Sequence, residues 1–145
     1  MPESSDPILL AEALRAPLLQ LSRRLRQEAQ RVGSSALDGL LLGHVRKKPG
    51  VTASALADIE RMTRPSMSSH IKRLEAAGWI VRAGDSNDGR RAGLLITPSG
   101  EEQLAAIRQS RNDWLAERLS QLDPAARKAL AAAHAPLLQL LSLDS

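Results

Sequence analysis

A chain of 145 residues with 43% hydrophobic content is one domain in length and holds enough apolar mass to bury a core. Its lack of cysteine excludes disulfides, thiolate metal sites and thiol redox sensing. No apolar run nears the ~20 residues of a membrane span, and MPESSDP lacks a basic-then-apolar leader, so a cytoplasmic location is expected. Phe and Tyr are absent, leaving Trp79 and Trp114 as the aromatics, and the abundant Leu and Ala favour a mostly α protein.

From Ile8 to about Val32, Leu10, Leu14, Leu18, Leu21 and Leu25 recur at steps of three or four, which predicts a long amphipathic helix. Pro17 falls inside it and should kink the helix or split it after Ala16. Gly33-Ser34-Ser35 breaks the chain, and Ser35 can cap a short helix running through His44 or Arg46. Lys47-Lys48-Pro49-Gly50 reads as a turn.

Next comes a helix-turn-helix pattern. Residues 52–60 make a first helix with Thr52 as N-cap and Leu56 and Ala57 facing inward, residues 61–63 a turn, and residues 64–77 a second helix. Thr63 caps that second helix and Pro65 lies in its first turn, where a missing N–H costs nothing. Met67, Ile71 and Leu74 form its buried stripe, leaving Arg64, Ser66, Ser68, Ser69, Lys72 and Arg73 outward. Small hydroxyl side chains near a helix N-terminus permit close approach to base edges, and Arg or Lys can pair guanine or phosphate. Ser66 and Ser69 are singly also ordinary surface residues; the combination carries the inference.

Gly78 ends the second helix. Trp79-Ile80-Val81 and Leu94-Leu95-Ile96-Thr97 are β-prone and predicted to pair antiparallel. Between them a turn-forming stretch, residues 84–89, leads to Arg90-Arg91. A basic tip of this kind can reach a phosphate or lay Arg90 in the minor groove. Asp88 would orient Arg90 by an ion pair, the alternative being that both only stabilise the turn.

Thr97-Pro98-Ser99-Gly100 starts a second long helix carrying Leu104, Ile107, Trp114, Leu115, Leu119 and Leu122. Asp123-Pro124 opens a final helix to about Leu141, with Leu130, Ala133, Leu137, Leu140 and Leu141 apolar and Pro136 a second kink. The apolar stripes of the outer helices suit packing against a second copy, giving a homodimer, although packing within one chain is an alternative. Net charge is +4, and residues 44–92 hold ten Lys/Arg against five Asp/Glu, so the excess lies on the reading half. That distribution fits a polyanion partner; a solvated, solubilising face is the alternative.

LADIERMTRPSMSSHIKRLEAAGWIVR and DSNDGRRAGLLITPSG resemble the signature of the multiple-antibiotic-resistance regulator (MarR) family of bacterial transcription factors. The resemblance is close over about residues 35–104. Asp85, Asp88 and Arg90 keep the family's hairpin spacing, followed by Thr97 and Gly100, while Ser86 replaces a usual Pro and Gly89 a usual basic residue. It implies a mostly α fold: a winged helix-turn-helix DNA-binding domain with long N- and C-terminal helices forming a dimerisation region. The chain would be a single domain, 1–145, with dimerisation helices at 8–32 and 99–143 and a winged lobe at 35–98.

The implied function is sequence-specific transcriptional regulation, as a repressor that binds palindromic operator DNA as a homodimer. A small aromatic or phenolic effector, bound between the dimerisation and reading regions, would release it. Thr63, Arg64, Pro65, Ser66, Ser68, Ser69, Lys72, Arg73, Asp88, Arg90 and Arg91 are the expected DNA-binding residues. Arg15 and Arg46 are candidates for holding an effector carboxylate. His44, His70 and His134 fall on three helices without metal-ligand spacing, so neither metal nor cofactor is expected; His70 reads as a packed residue and His44 as a candidate cleft lining. No Gly-x-Ser-x-Gly, P-loop or His-Glu-x-x-His occurs, which argues against an enzyme. The competing reading is a winged-helix protein-interaction module that has lost DNA binding.

Overall fold

The computed structural model describes residues 5–84 and 93–143. In chain order these form α1 (Pro7–Gln27), a 3-10 turn (Glu28–Val32), α2 (Ala36–Lys47), α3 (Ala53–Ile59), α4 (Arg64–Ala76), β1 (Ile80–Ala83), β2 (Gly93–Ile96), α5 (Pro98–Ser120) and α6 (Pro124–Ser142). No helix among the described residues is long and apolar enough to cross a membrane. The chain divides into two compact units, Met1–Arg111 and Asn112–Ser145, with the boundary inside α5.

The first unit holds a continuous core. Leu41, Leu42 and Val45 of α2, Leu56 of α3, Met67, Ile71 and Leu74 of α4, Ile80 and Leu94 of the strands and Ile107 of α5 are all removed from water. At about 1.5–3 kcal/mol for each fully buried aliphatic side chain, this cluster is the main force holding α2 to α5 around the hairpin. Phe and Tyr are not needed, because short helices spaced by leucine and isoleucine interdigitate without large rings.

Helix starts follow their capping residues. Asp6 accepts a bond from the Ile8 amide at 2.9 Å, Thr52 from Ala55 at 3.1 Å, and Thr63 from Ser66 at 3.3 Å. Ser35 and Asp38 form a reciprocal capping box: Asp38 N–H donates to Ser35 Oγ at 3.0 Å and Ser35 N–H to Asp38 Oδ2 at 2.9 Å.

Of the kink or split expected at Pro17, the split after Ala16 does not occur; the helix runs unbroken through it to Gln27. The carbonyl that Pro17 leaves without a partner, that of Ala13, lies on an exposed stretch where water can satisfy it. The regular helix instead ends at Gln27, tightening into the 3-10 turn that Gly33 closes at φ +82°. Its last turn is tied to the first half of α5: Gln103 Nε2 donates to Val32 O and Ser34 Oγ, both at 2.7 Å, and Ser110 Oγ donates to Glu28 O at 3.3 Å.

The two strands pair antiparallel with Ile80 opposite Ile96 and Ala83 opposite Gly93. Val51, between the predicted turn and the following helix, adds an isolated bridge to Leu94. Strand β1 begins one residue later than expected, because Trp79 belongs to the turn: its N–H donates to Leu74 O at 3.1 Å and its carbonyl accepts from Thr97 N–H at 3.0 Å.

In the second unit, Asp123 caps α6 by accepting from Ala126 N–H at 2.7 Å, and the Arg118 guanidinium sits 4.0 Å from the Trp114 ring centroid. Leu122 lies beyond the end of α5. Leu130, Leu137, Leu138, Leu140 and Leu141 of α6 are exposed, and so, on the first unit, are Ile8, Leu9, Leu10, Leu14, Leu18, Leu19 and Leu21 of α1.

Candidate nucleic-acid interface

The helix-turn-helix is built by α3, residues 60–63 and α4. Leu56 and Ala57 of α3 and Met67, Ile71 and Leu74 of α4 turn inward, which fixes the opposite face of α4 outward by the 3.6-residue period. The turn closes through Met62 N–H to Ala57 O at 2.9 Å. Arg61 adopts φ +52°, a left-handed conformation that costs a side-chain-bearing residue about 1–2 kcal/mol. His44 Nε2 and Glu60 Oε1, 2.8 Å apart, join α2 to this turn.

On α4, Arg64, Pro65, Ser69, Lys72 and Arg73 are exposed, together with the cap Thr63, while Ser66 and Ser68 are half-buried. Ser69 Oγ donates to Pro65 O at 3.3 Å, which holds the hydroxyl on the helix and leaves its lone pairs outward. Among the described residues, Arg64 and Lys72 make no ion pair. They are therefore available to an outside anion.

Arg73 is exposed, as expected, but is also paired within the chain. Its Nη1 donates to Asp38 Oδ1, and its Nη2 lies 2.8 Å from His70 Nδ1. The guanidinium thus turns back toward α2 instead of standing free. His70, read as a packed residue, is half-buried and takes part in this contact. Asp38 was not singled out from the sequence. Its capping-box spacing after Ser35 was legible, but an ion pair 35 residues away leaves no local pattern.

Strand β1 is braced on α4 by Arg82 Nε donating to Glu75 Oε1 at 2.9 Å. Asp88, Arg90 and Arg91, with Asp85, Ser86 and Gly89, lie outside the described residues. Arg46, a candidate for an effector carboxylate, already donates to Glu101 Oε2 at 2.9 Å. His44 lines an open recess of about 410 Å³ with Lys47, Lys48, Val51 and Ile59. Arg111 on α5 donates through Nε to Leu25 O at 3.3 Å; burial, then the like charges of Arg26 and Arg108, lower its pKa, though a guanidinium stays protonated at neutral pH.

Comparison with known proteins places these features in context. The sequence profile of the MarR family matches residues 33–91. An uncharacterised HTH-type transcriptional regulator of Mycobacterium bovis is 35% identical over 134 residues, spanning 91% of this chain and 92% of the relative. The crystal structure of a protein assigned as a transcriptional regulator in Pseudomonas aeruginosa superposes with a TM-score of 0.75 at 34% identity, covering 96% and 97% of the two chains. At 22% identity, a variant of MepR from S. aureus bound to an oligodeoxyribonucleotide shares the fold, with a TM-score of 0.66 and coverage of 91% and 97%.

Proposed function

This chain belongs to the MarR family of DNA-binding transcriptional regulators, and we propose that it acts as a homodimeric repressor of palindromic operators. One observation carries the reading. The apolar stripe of α4 anchors the helix while Thr63, Arg64, Pro65, Ser69 and Lys72 stand exposed, with Ser66 and Ser68 partly accessible at its N-terminal half. A helix so presented fits a major groove, where Arg pairs guanine and small hydroxyls approach base edges.

Arg90 and Arg91, by their sequence position between β1 and β2, are assigned to backbone or minor-groove contact beside it, with Asp88 orienting Arg90. The exposed leucines of α1 and of α6 supply apolar surface for a second copy. Two reading heads on a twofold axis would meet successive half-sites about 34 Å apart. The recess formed by His44, Lys47, Lys48, Val51 and Ile59 offers an apolar floor and positive charge for an aromatic or phenolic effector.

Titration of salt against duplex affinity tests the DNA assignment. Log affinity should fall linearly with log salt, with a slope of about −0.9 per neutralised phosphate. A flat response would instead favour a protein-interaction module. Arg64→Ala is expected to relax the motif recovered by selection from random duplexes, losing about 1–3 kcal/mol of discrimination at one base pair. Lys72→Ala should weaken all sequences alike; identical motifs for the parent and Arg64→Ala would refute the base contact. Arg90→Ala should lower operator affinity about tenfold in a gel-shift assay, and parental affinity would remove Arg90 from the interface.

A further inference from the structure

We propose that Arg73 is a positioning residue and not a phosphate contact: with Asp38 it forms a clamp that fixes the orientation of the reading helix on α2. This rests on the DNA-binding reading above. The Asp38 side chain is only 3% exposed, yet both carboxylate oxygens are satisfied. Oδ2 accepts the Ser35 N–H at 2.9 Å, and Oδ1 accepts Arg73 Nη1. A carboxylate this buried requires such donors.

Arg73 gives both terminal nitrogens to the clamp. Nη2 faces His70 Nδ1 at 2.8 Å, and because a guanidinium can only donate, the imidazole nitrogen accepts. The side chain is 46% exposed, but its hydrogen-bonding fork points to α2 and along α4, leaving less for a phosphate.

The clamp supplies what the apolar stripe lacks. Met67, Ile71 and Leu74 attach α4 by burial, which is non-directional and tolerates small rotations and slides. A charge-assisted fork on a buried acceptor is directional. Its α2 end is itself immobilised. Next to Asp38, a Cβ on Gly39 would lie 3.1 Å from Arg111 Nη2 and 3.6 Å from Ile107 Cγ2, so α5 packs directly on the first turn of α2. From α5 through that turn to Asp38 and Arg73, the reading helix is held at a set angle. Base readout depends on that angle, whereas backbone attraction does not.

The test measures, for the full-length protein, affinity for its selected operator and for an unrelated duplex across a salt series. Asp38→Asn places an amide nitrogen against one of two donors. Asp38→Asn and Arg73→Ala should each cost about tenfold on the operator, and the double variant no more than either alone. Binding to the unrelated duplex and the salt slope should stay parental, and Arg73→Lys, which lacks the fork, should not rescue. If Asp38→Asn fails to fold, the Arg73 variants carry the test through the operator-to-unrelated ratio and the slope. The clamp is overturned if Arg73→Ala lowers the salt slope by about 0.9, weakens both duplexes alike and adds to Asp38→Asn, since those mark a phosphate contact. A parent protein that binds neither duplex sinks the DNA reading and the clamp with it, a result separable from the previous one.

Discussion

Gly100→Ala is expected to lower the melting temperature by roughly 10 °C, or to leave too little folded protein to melt. A Cβ at this position would lie 2.1 Å from the Trp79 carbonyl oxygen, 2.9 Å from its carbon and 2.7 Å from Ile96 Cγ1. Two of those atoms are backbone, so no rotamer change relieves the clash. The same spot is a junction. Gly100 N–H donates to Thr97 Oγ1 at 3.0 Å, that hydroxyl donates to Gly78 O at 2.6 Å, and Thr97 N–H donates to Trp79 O at 3.0 Å. Forcing the segments apart strains the core by about 1–3 kcal/mol or more and loosens a helix cap worth about 1 kcal/mol. For a chain of this length each kcal/mol is roughly 3 °C. Gly43→Ala is the control: it sits in α2, where an added Cβ would meet nothing within 4 Å beyond its chain neighbours and the backbone of its own helix, and should gain about 0.5–1 kcal/mol. Thermal melts followed by circular dichroism compare the two, and a Gly100→Ala variant melting with the parent would show that the close approach is absent.

Gly100 also marks what a one-dimensional reading can and cannot reach. Its place in the pattern after Thr97 was visible, but the carbonyl it must accommodate belongs to Trp79, 21 residues earlier, and only packing brings the two together. Local signals translated well. The caps at Ser35, Thr52, Thr63 and Asp123 each start the helix they precede, because a side chain that satisfies an orphan amide acts within three residues. The Met67, Ile71 and Leu74 stripe likewise faces the core, since helical period alone decides which side is buried.

The sequence was less informative where a distant or solvent partner decides the outcome. Pro17 was expected to kink or split its helix, and no split occurs, because an exposed turn can hydrate the carbonyl it strands. Val51 carries no strand signal of its own, and its bridge to Leu94 needs β2 from 43 residues onward. Arg73 has the period of an outward cation, and the buried carboxylate that recruits it sits on another helix. Arg46 was in the same position, its Glu101 partner being 55 residues away. Long-range polar pairing was therefore the least legible layer of this chain, and it governs which outward cations remain free for DNA.

Charging the face of α6 should abolish the proposed homodimer without unfolding the chain. Leu137 and Leu141, four residues apart, share one side of the helix and are 40% and 72% exposed. Glutamate at both positions should leave helix content close to the parent and lower melting only modestly, because neither leucine belongs to the buried core, although Leu137 is partly covered within the chain. Association should respond far more strongly. In a twofold interface each residue counts twice, and the fraction of the four leucines still open to burial amounts to roughly 3–7 kcal/mol at about 1.5–3 kcal/mol per full burial. Their loss raises the dissociation constant by about 10²–10⁵, before like-charge repulsion is considered. Sedimentation should then report a single chain of 15.7 kDa. Operator affinity should drop about a hundredfold or more, since a lone reading head forfeits the gain of linking two sites. Affinity for one half-site should change little, because α4 and its neighbours are untouched. A Leu137→Glu/Leu141→Glu protein that still sediments as a pair and holds its operator at parental strength would remove α6 from the association surface.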